Sequence, residues 1–366
     1  MSSAVRMAAA PPTVYVYPLP EELRATYLYD NLTANNHDYQ LSGELELYRR
    51  LREYPHRAPP ESADMLLVPT MFAQAFAQWK KGGATRIQRL NAEVERVLRA
   101  SPHWESRRRA HAIFALRCGG PPSDRVRRTA VAAGTWPSLW DSNATMLCTE
   151  PTTSAVHGHG VLMPYHSTAR CERSAEPSPD EKLVFFSGSQ SVQRQRRAPW
   201  IAALRAAPDG LAHIVGAATR THALNFTAIE RGMASSLFTL SLIGHTGTRK
   251  SVFDAIRCGA LLLLACDNAP LPFAAEVDCA RFTLHVPERA DPPAVLDRLR
   301  AWVRTHHGWI RAARRAVRDA APLLDYSQPA MVELTLRTFV RVSRDGHAAA
   351  ALRRRGSTVT PVPLWE

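Results

Sequence analysis

Ser236–Phe273 reads SLFTLSLIGHTGTRKSVFDAIRCGALLLLACDNAPLPF. The apolar, β-prone run Leu237–Ile243 meets a polar, glycine-containing turn, Gly244–Thr248. A helical segment, Arg249–Cys258, then passes through Gly259 into a second apolar run, Ala260–Ala265, that closes on Asp267. Strand, turn, helix and strand in that order predict a βαβ unit. The strand-to-helix turn of such a unit presents free backbone N–H groups and the positive end of a helix at the carboxyl edge of the sheet, where a phosphate is favoured. Gly244, Thr248, Arg249, Lys250 and Ser251 stand at that turn, and two cations beside two hydroxyls suit a pyrophosphate.

Gly244–Ser251 falls one residue short of a P-loop, because Arg249 fills the place of the second glycine. That glycine permits a backbone wrap which a side chain obstructs. No G-x-G-x-x-G fingerprint occurs either. The residues alone leave two readings of the turn, a nucleotide-phosphate site or a solvated basic helix start.

Working outward, 366 residues with 45% apolar content suffice for two domains with full cores. A net charge of +13 invites an anionic partner. Yet only four of the 46 basic residues are lysine (80, 81, 182 and 250), an arginine skew that resembles GC-rich coding more than a nucleic-acid surface. Six cysteines show no zinc spacing, and no Asp-x-Asp occurs, so no metal is expected. No stretch is long and apolar enough for a membrane anchor, and no signal peptide is visible. Three sequons, at Asn31, Asn143 and Asn225, stand among only seven asparagines and favour a secretory lumen.

The remaining landmarks run in order. Residues 1–12 form a tail, and Val14–Tyr17 is a first strand stopped by Pro18. Tyr39–Tyr54 has helical spacing and sets Glu44 beside an apolar face; Glu61–Pro69 is a helix end running into a buried strand. Trp79–Ala100 is a long amphipathic helix, followed by Trp104, Arg109 and His111; Glu150 precedes the run ending Met163-Pro164-Tyr165. Ser167–Asp180, rich in serine, proline and charge, reads as a linker, so domains of 13–175 and 176–344 are expected, with a tail over 345–366. Lys182–Ser187 is the first strand of the second domain, and Gly188 and Ser189 let a ligand approach its backbone. The basic run Arg194–Arg197 reads as a solvated helix face. Phe282–Val286 is a further strand with Glu288 just beyond it, and two amphipathic helices, Trp309–Ala321 and Ala330–Val342, end the domain.

The central segment resembles the exostosin-like glycosyltransferases, whose plant xyloglucan branch reads approximately G-D-S-Y-T-R-R-S-x-F-D-x-x-x-A-G-C-I-P-V. This chain matches at Gly244, Thr248, Arg249, Lys250, Ser251, Phe253, Asp254 and Gly259, and again at Leu271-Pro272-Phe273. His245 departs, replacing an acidic residue, and Ala260 to Leu263 replace C-I-P-V. The segments at 15–20, 61–69, 102–111 and 184–188 resemble further family landmarks. The resemblance implies a GT-B-like α/β fold of two Rossmann-like domains facing a cleft. It implies an inverting transfer from a UDP-sugar to a glycan or glycoprotein acceptor, in the Golgi lumen, without a metal. Gly188, Ser189, Gly244, His245, Thr248, Arg249, Lys250, Ser251, Asp254 and Glu288 then bind the donor. Asp254 takes either the ribose hydroxyls or Lys250 one turn away. Glu44, Glu150 and His111 are the candidate general bases. The competing readings are a catalytically impaired glycan-binding or partner protein and a P-loop-type hydrolase.

Overall fold

The computed structural model describes residues 10–18, 42–70, 84–118, 143–151, 160–171, 181–189, 192–208, 212–215, 226–244, 247–267 and 269–345, with the backbone alone over 84–91, 115–118, 150–151 and 212–215. Contacts divide the described chain into two units, one of 10–163 with 326–345 and one of 164–325. Each is built on a five-stranded sheet in which, among the described residues, all strand pairings are parallel. The fold class is therefore α/β with two Rossmann-like units, the composition expected of a GT-B chain.

In the first unit β1 (Val14–Val16), β2 (Met65–Val68), β3 (His111–Cys118), β4 (Thr145–Pro151) and β5 (Gly160–Leu162) lie in simple sequence order. Helix α1 (Gly43–Arg52) buries Leu45, Leu47, Tyr48 and Leu51, the face its spacing predicts. Helix α2 (Ala84–Ala100) leads into the short α3 (Pro102–Ser106), whose start Ser101 caps by accepting from the His103 N–H.

The second unit carries β6 (Lys182–Ser187), α4 (Arg194–Ala206), β7 (Ala212–Val215), α5 (Phe226–Ala234), β8 (Ser236–Leu242), α6 (Lys250–Arg257), β9 (Leu261–Ala265), β10 (Thr283–His285), α7 (Pro292–Thr305) and α8 (His307–Ala320). Every residue of β8 and β9 is buried, as expected of parallel strands covered on both faces and read in sequence as unbroken apolar runs. Between them, α6 ends as the glycine forecast. Gly259 adopts φ 69°, its N–H reaches the Ile256 carbonyl at 2.9 Å, and the Ala260 N–H reaches Ala255 at 2.9 Å. This is the paired C-terminal closure that a residue at positive φ allows.

The observed division differs from the expected one at two places. It falls between Met163 and Pro164, ahead of the serine- and proline-rich stretch. A disulfide, Cys171–Cys258, fastens the described start of that stretch to the end of α6, and 172–180 lie outside the described residues. The last helix, α9 (Pro329–Asp345), packs on β2, β4 and β5 of the first unit. Its apolar face, Met331, Val332, Leu336 and Phe339, was legible, but amphipathicity does not say which sheet covers a helix.

Candidate functional site

Strand order singles out one place in the second sheet. The order β10-β9-β8-β6-β7 sends the chain from β6 to one side and then back past it to β8 on the other. At such a reversal the loops leaving neighbouring strands part, and open α/β sheets bind ligands in that crevice. The first sheet runs in one direction and has no reversal. The crevice lies between the loop after β6, with Gly188 and Ser189, and the loop after β8, which leads to Arg249 and α6.

Two guanidinium groups converge there. Arg249 is the N-cap of α6, in extended backbone conformation, and no side chain caps the helix. Its side chain turns back over Gly188, where a Cβ would stand 3.1 Å from Arg249 Nη2, 3.2 Å from the Phe186 ring and 3.6 Å from Arg197 Nη1. Arg197, in the first turn of α4, is 1% exposed. It donates from Nε to the Ile243 carbonyl at 2.7 Å and from Nη1 to the Ser189 carbonyl at 2.8 Å, so it ties the two loops together. Arg249 donates from Nη1 to the Leu242 carbonyl at 3.3 Å.

Among the described residues neither arginine has a carboxylate partner. The guanidinium end of Arg249 is enclosed although the residue as a whole is only partly buried; that burial, reinforced by the like charge of Arg197, pushes its pKa down to about 9. Both groups remain cationic at neutral pH. The first turn of α6 adds uncapped amides and Ser251 Oγ, a buried hydroxyl without a hydrogen-bond partner. Buried positive charge beside a helix N-terminus is an environment that favours an anion over a cation.

The other expected donor residues take varied places. Lys250 Nζ holds both oxygens of Asp254, at 2.7 and 2.8 Å, and Ser167 Oγ donates to Asp254 Oδ1 at 2.6 Å. Of the two roles left open for Asp254, the structure shows the lysine pair. Thr248 is buried and its hydroxyl donates to the Pro270 carbonyl at 3.0 Å, which fixes the loop. Gly244 is buried at the end of β8, and Ser189 contributes its carbonyl. Glu288 receives Arg196 as an ion-pair partner, and its N–H donates to Asp267 at 2.9 Å. A cavity of about 300 Å³ opens beside that pair, lined by Gln195, Arg196, Trp200, Glu288, Arg289 and Pro292 among others. His245 lies outside the described residues.

The three candidate bases belong to the first unit. Glu44, on α1, is 3% exposed and lies close enough to Tyr326 that its charge, after burial, helps hold the phenol well above its ordinary pKa. Glu150 sits in β4 opposite Arg117; its side chain lies outside the description. His111 is wholly buried at the start of β3. Its Nδ1–H donates to the Arg107 carbonyl at 3.0 Å, which leaves Nε2 to accept the Tyr17 hydroxyl at 3.0 Å, a tautomer assigned from the network. Trp104 packs edge-on at 4.8 Å. Both ring nitrogens are thus engaged and the side chain has no exposure, an environment that disfavours proton exchange with a substrate.

Burial, opposed in part by the Arg107 carbonyl, pushes the His111 pKa down to about 4. The unfolded chain therefore binds more protons between pH 6.5 and 4. Stability from this group is complete above about 6.5 and falls as the pH drops through that window, by about 3 kcal/mol in all. Urea denaturation of the wild type and His111→Asn at pH 7 and pH 4.5 measures it, with a steeper acid loss expected in the wild type. Equal slopes would refute the neutral, buried imidazole.

Sequence reasoning passed over Arg197 as part of a solvated run. Arg194 and Arg196 are indeed exposed. Arg197, however, shares the helical face of Trp200, Ile201 and Leu204, which are all buried, and that spacing was the available signal.

Comparison with known proteins places this geometry. No curated protein matches the sequence. Distant likenesses among solved structures include CalG4, the calicheamicin glycosyltransferase (12% identity, 84% of this chain and 96% of that one, TM-score 0.39). Others are the spinosyn rhamnosyltransferase SpnG complexed with thymidine diphosphate (15%, 87% and 85%, 0.36) and SnogD from Streptomyces nogalater (10%, 86% and 84%, 0.34). The model of the exostosin GT47 domain matches residues 8–301, a span that takes in β1, the β6 loop with Gly188, Arg197 and the whole of α6. On that match the chain belongs to the exostosin GT47 family of glycosyltransferases.

Proposed function

We propose that this protein is an inverting glycosyltransferase that moves a hexosyl or pentosyl group from a UDP-sugar to a glycan or glycoprotein acceptor. The observation that carries the reading is the pair Arg197 and Arg249, two enclosed cations with no carboxylate partner among the described residues, at the crevice of the second sheet. A departing UDP develops negative charge on its β-phosphate, and preorganised guanidinium groups with helix amides stabilise that charge without reorganising. In this reading no metal is needed, because those groups supply the compensation. The nucleoside extends toward the cavity at Trp200 and Glu288, where an apolar wall and polar rim suit a base and ribose.

Inversion needs one base on the acceptor side. With His111 taken up structurally, the role falls to Glu44, with Glu150 as second choice. Residence in the Golgi lumen is supported by the Cys171–Cys258 disulfide, typical of oxidising compartments, and by the sequon at Asn143, which is exposed.

The test is release of UDP from a panel of UDP-sugars, with glycan acceptors and with excess EDTA. Acceptor-stimulated release that EDTA leaves near its starting rate is expected, and Glu44→Gln should lower it about 10²-fold with UDP affinity unchanged. Near-wild-type turnover in Glu44→Gln moves the base to Glu150. UDP binding with no turnover on any donor indicates a non-catalytic relative, and phosphate release from ATP indicates a nucleotide hydrolase.

A further inference from the structure

The segment Pro164–Cys171 follows α6 along its length within the second unit. Tyr165 packs its ring on Phe253 at 6.2 Å between centroids, and its phenol lies close enough to act electrostatically on Arg249. Ser167 is 4% exposed and donates its hydroxyl to Asp254 at 2.6 Å. Its carbonyl accepts from Arg257 Nη1 at 3.0 Å, and Arg257 in turn holds Asp325 at 2.9 Å. Cys171 closes the series with its bond to Cys258. Four successive places on α6, at 253, 254, 257 and 258, are thus fastened to one strip of chain.

From this geometry we infer that Ser167 is a positioning residue for the anion site, acting through Asp254 on Lys250; the inference rests on the donor-binding reading above. Asp254 is 8% exposed, and a buried carboxylate is stable only when its lone pairs are used. Lys250 fills both oxygens, and the Ser167 hydroxyl shares Oδ1 with it. Because that hydroxyl carries part of the carboxylate's demand, the ammonium is restrained in direction without being drawn wholly onto Asp254. Its remaining N–H can turn to an anion at the first turn of α6. Without the hydroxyl, Asp254 leans on Lys250 alone and holds it more tightly away from the anion. Arg197 and Arg249 then supply the net charge, and Lys250 supplies an oriented donor whose own charge Asp254 balances.

The assignment predicts effects of opposite sign for the two partners. Calorimetric titration with inorganic pyrophosphate and, separately, with UDP is made on the wild type, Ser167→Ala, Asp254→Asn and the double variant, with Arg249→Ala as a control and thermal unfolding to check each fold. Ser167→Ala should weaken both ligands about 3- to 10-fold, the scale of one hydrogen-bonded contact. Asp254→Asn releases the Lys250 charge and should strengthen pyrophosphate binding, and in that background Ser167→Ala should have no further effect. Ser167→Thr, which keeps the hydroxyl, should bind as the wild type and stands in if the alanine variant does not fold. Wild-type affinity in Ser167→Ala, or an equal loss in the Asp254→Asn background, overturns the inference. So does an Asp254→Asn variant that loses UDP but not pyrophosphate, since that result makes Asp254 a ribose ligand. If Arg249→Ala weakens binding and Ser167→Ala does not, the positioning role fails and the site stands; if neither changes binding, the site itself is wrong.

Discussion

Arg197→Ala is expected to weaken UDP binding about 10- to 100-fold, as much as Arg249→Ala, because each removes a charge-assisted donor to the diphosphate worth about 1.5–3 kcal/mol. The two variants should differ in fold stability. Arg197 bridges the partly buried Ile243 and Ser189 carbonyls, so its loss unties the two loops. Arg249 makes one long contact to the Leu242 carbonyl, so its loss relieves like-charge repulsion at little structural cost. Arg249→Lys should recover only part of the affinity, since a point charge cannot form the planar fork. Titration calorimetry with UDP at fixed salt, beside thermal unfolding of the same samples, separates binding from folding. An Arg197→Ala variant that folds and binds UDP like the wild type would remove Arg197 from the site.

Gly232→Ala is expected to destabilise the chain by about 2–3 kcal/mol, through overpacking. A Cβ at Gly232, on the buried face of α5, would stand 2.2 Å from Phe185 Cε2 and 2.5 Å from Cδ2. Phe185 is fully buried in β6, so its ring has nowhere to move. The better helix propensity of alanine, about 1 kcal/mol, offsets only part of the clash. Urea titration should show a lower midpoint with unchanged slope. Phe185→Leu in the same background should restore part of the loss, and a Gly232→Ala variant as stable as the wild type would refute the close packing of α5 on β6.

The βαβ core was legible because its signals are local. The apolar runs at β8 and β9, the polar turn and Gly259 each act within a few residues, and the observed bounds depart from the expected ones by at most one residue at any end. Arg249 was legible for the same reason, as a cation at a helix start after a glycine-containing turn. Its partner was not. Arg197 comes from a different helix; its spacing with Trp200 and Leu204 marks it as buried, but no local pattern records that it meets Arg249 where the strand order reverses between β6 and β8. His111 illustrates the converse. The resemblance made His111 a candidate base, whereas its two hydrogen bonds, to Arg107 nearby and to Tyr17 far off in sequence, are visible only in the structure. Asp254 allowed two partners at equal standing in sequence, and only three-dimensional placement of Ser167 and Lys250 around it distinguishes them. The contact division falls ahead of the expected boundary, and residues of that stretch are held to α6 by Ser167 and Cys171, partners that composition does not record.

The central claim is that the crevice between β6 and β8 holds a diphosphate on Arg197 and Arg249. Calorimetric titration of the wild-type chain with UDP, repeated in the presence of inorganic pyrophosphate, tests it most directly. The account predicts saturable UDP binding that pyrophosphate displaces competitively and that a folded Arg197→Ala/Arg249→Ala variant loses by about 100-fold or more. UDP binding indifferent to pyrophosphate, or of equal affinity in the wild type and the double variant, would contradict it.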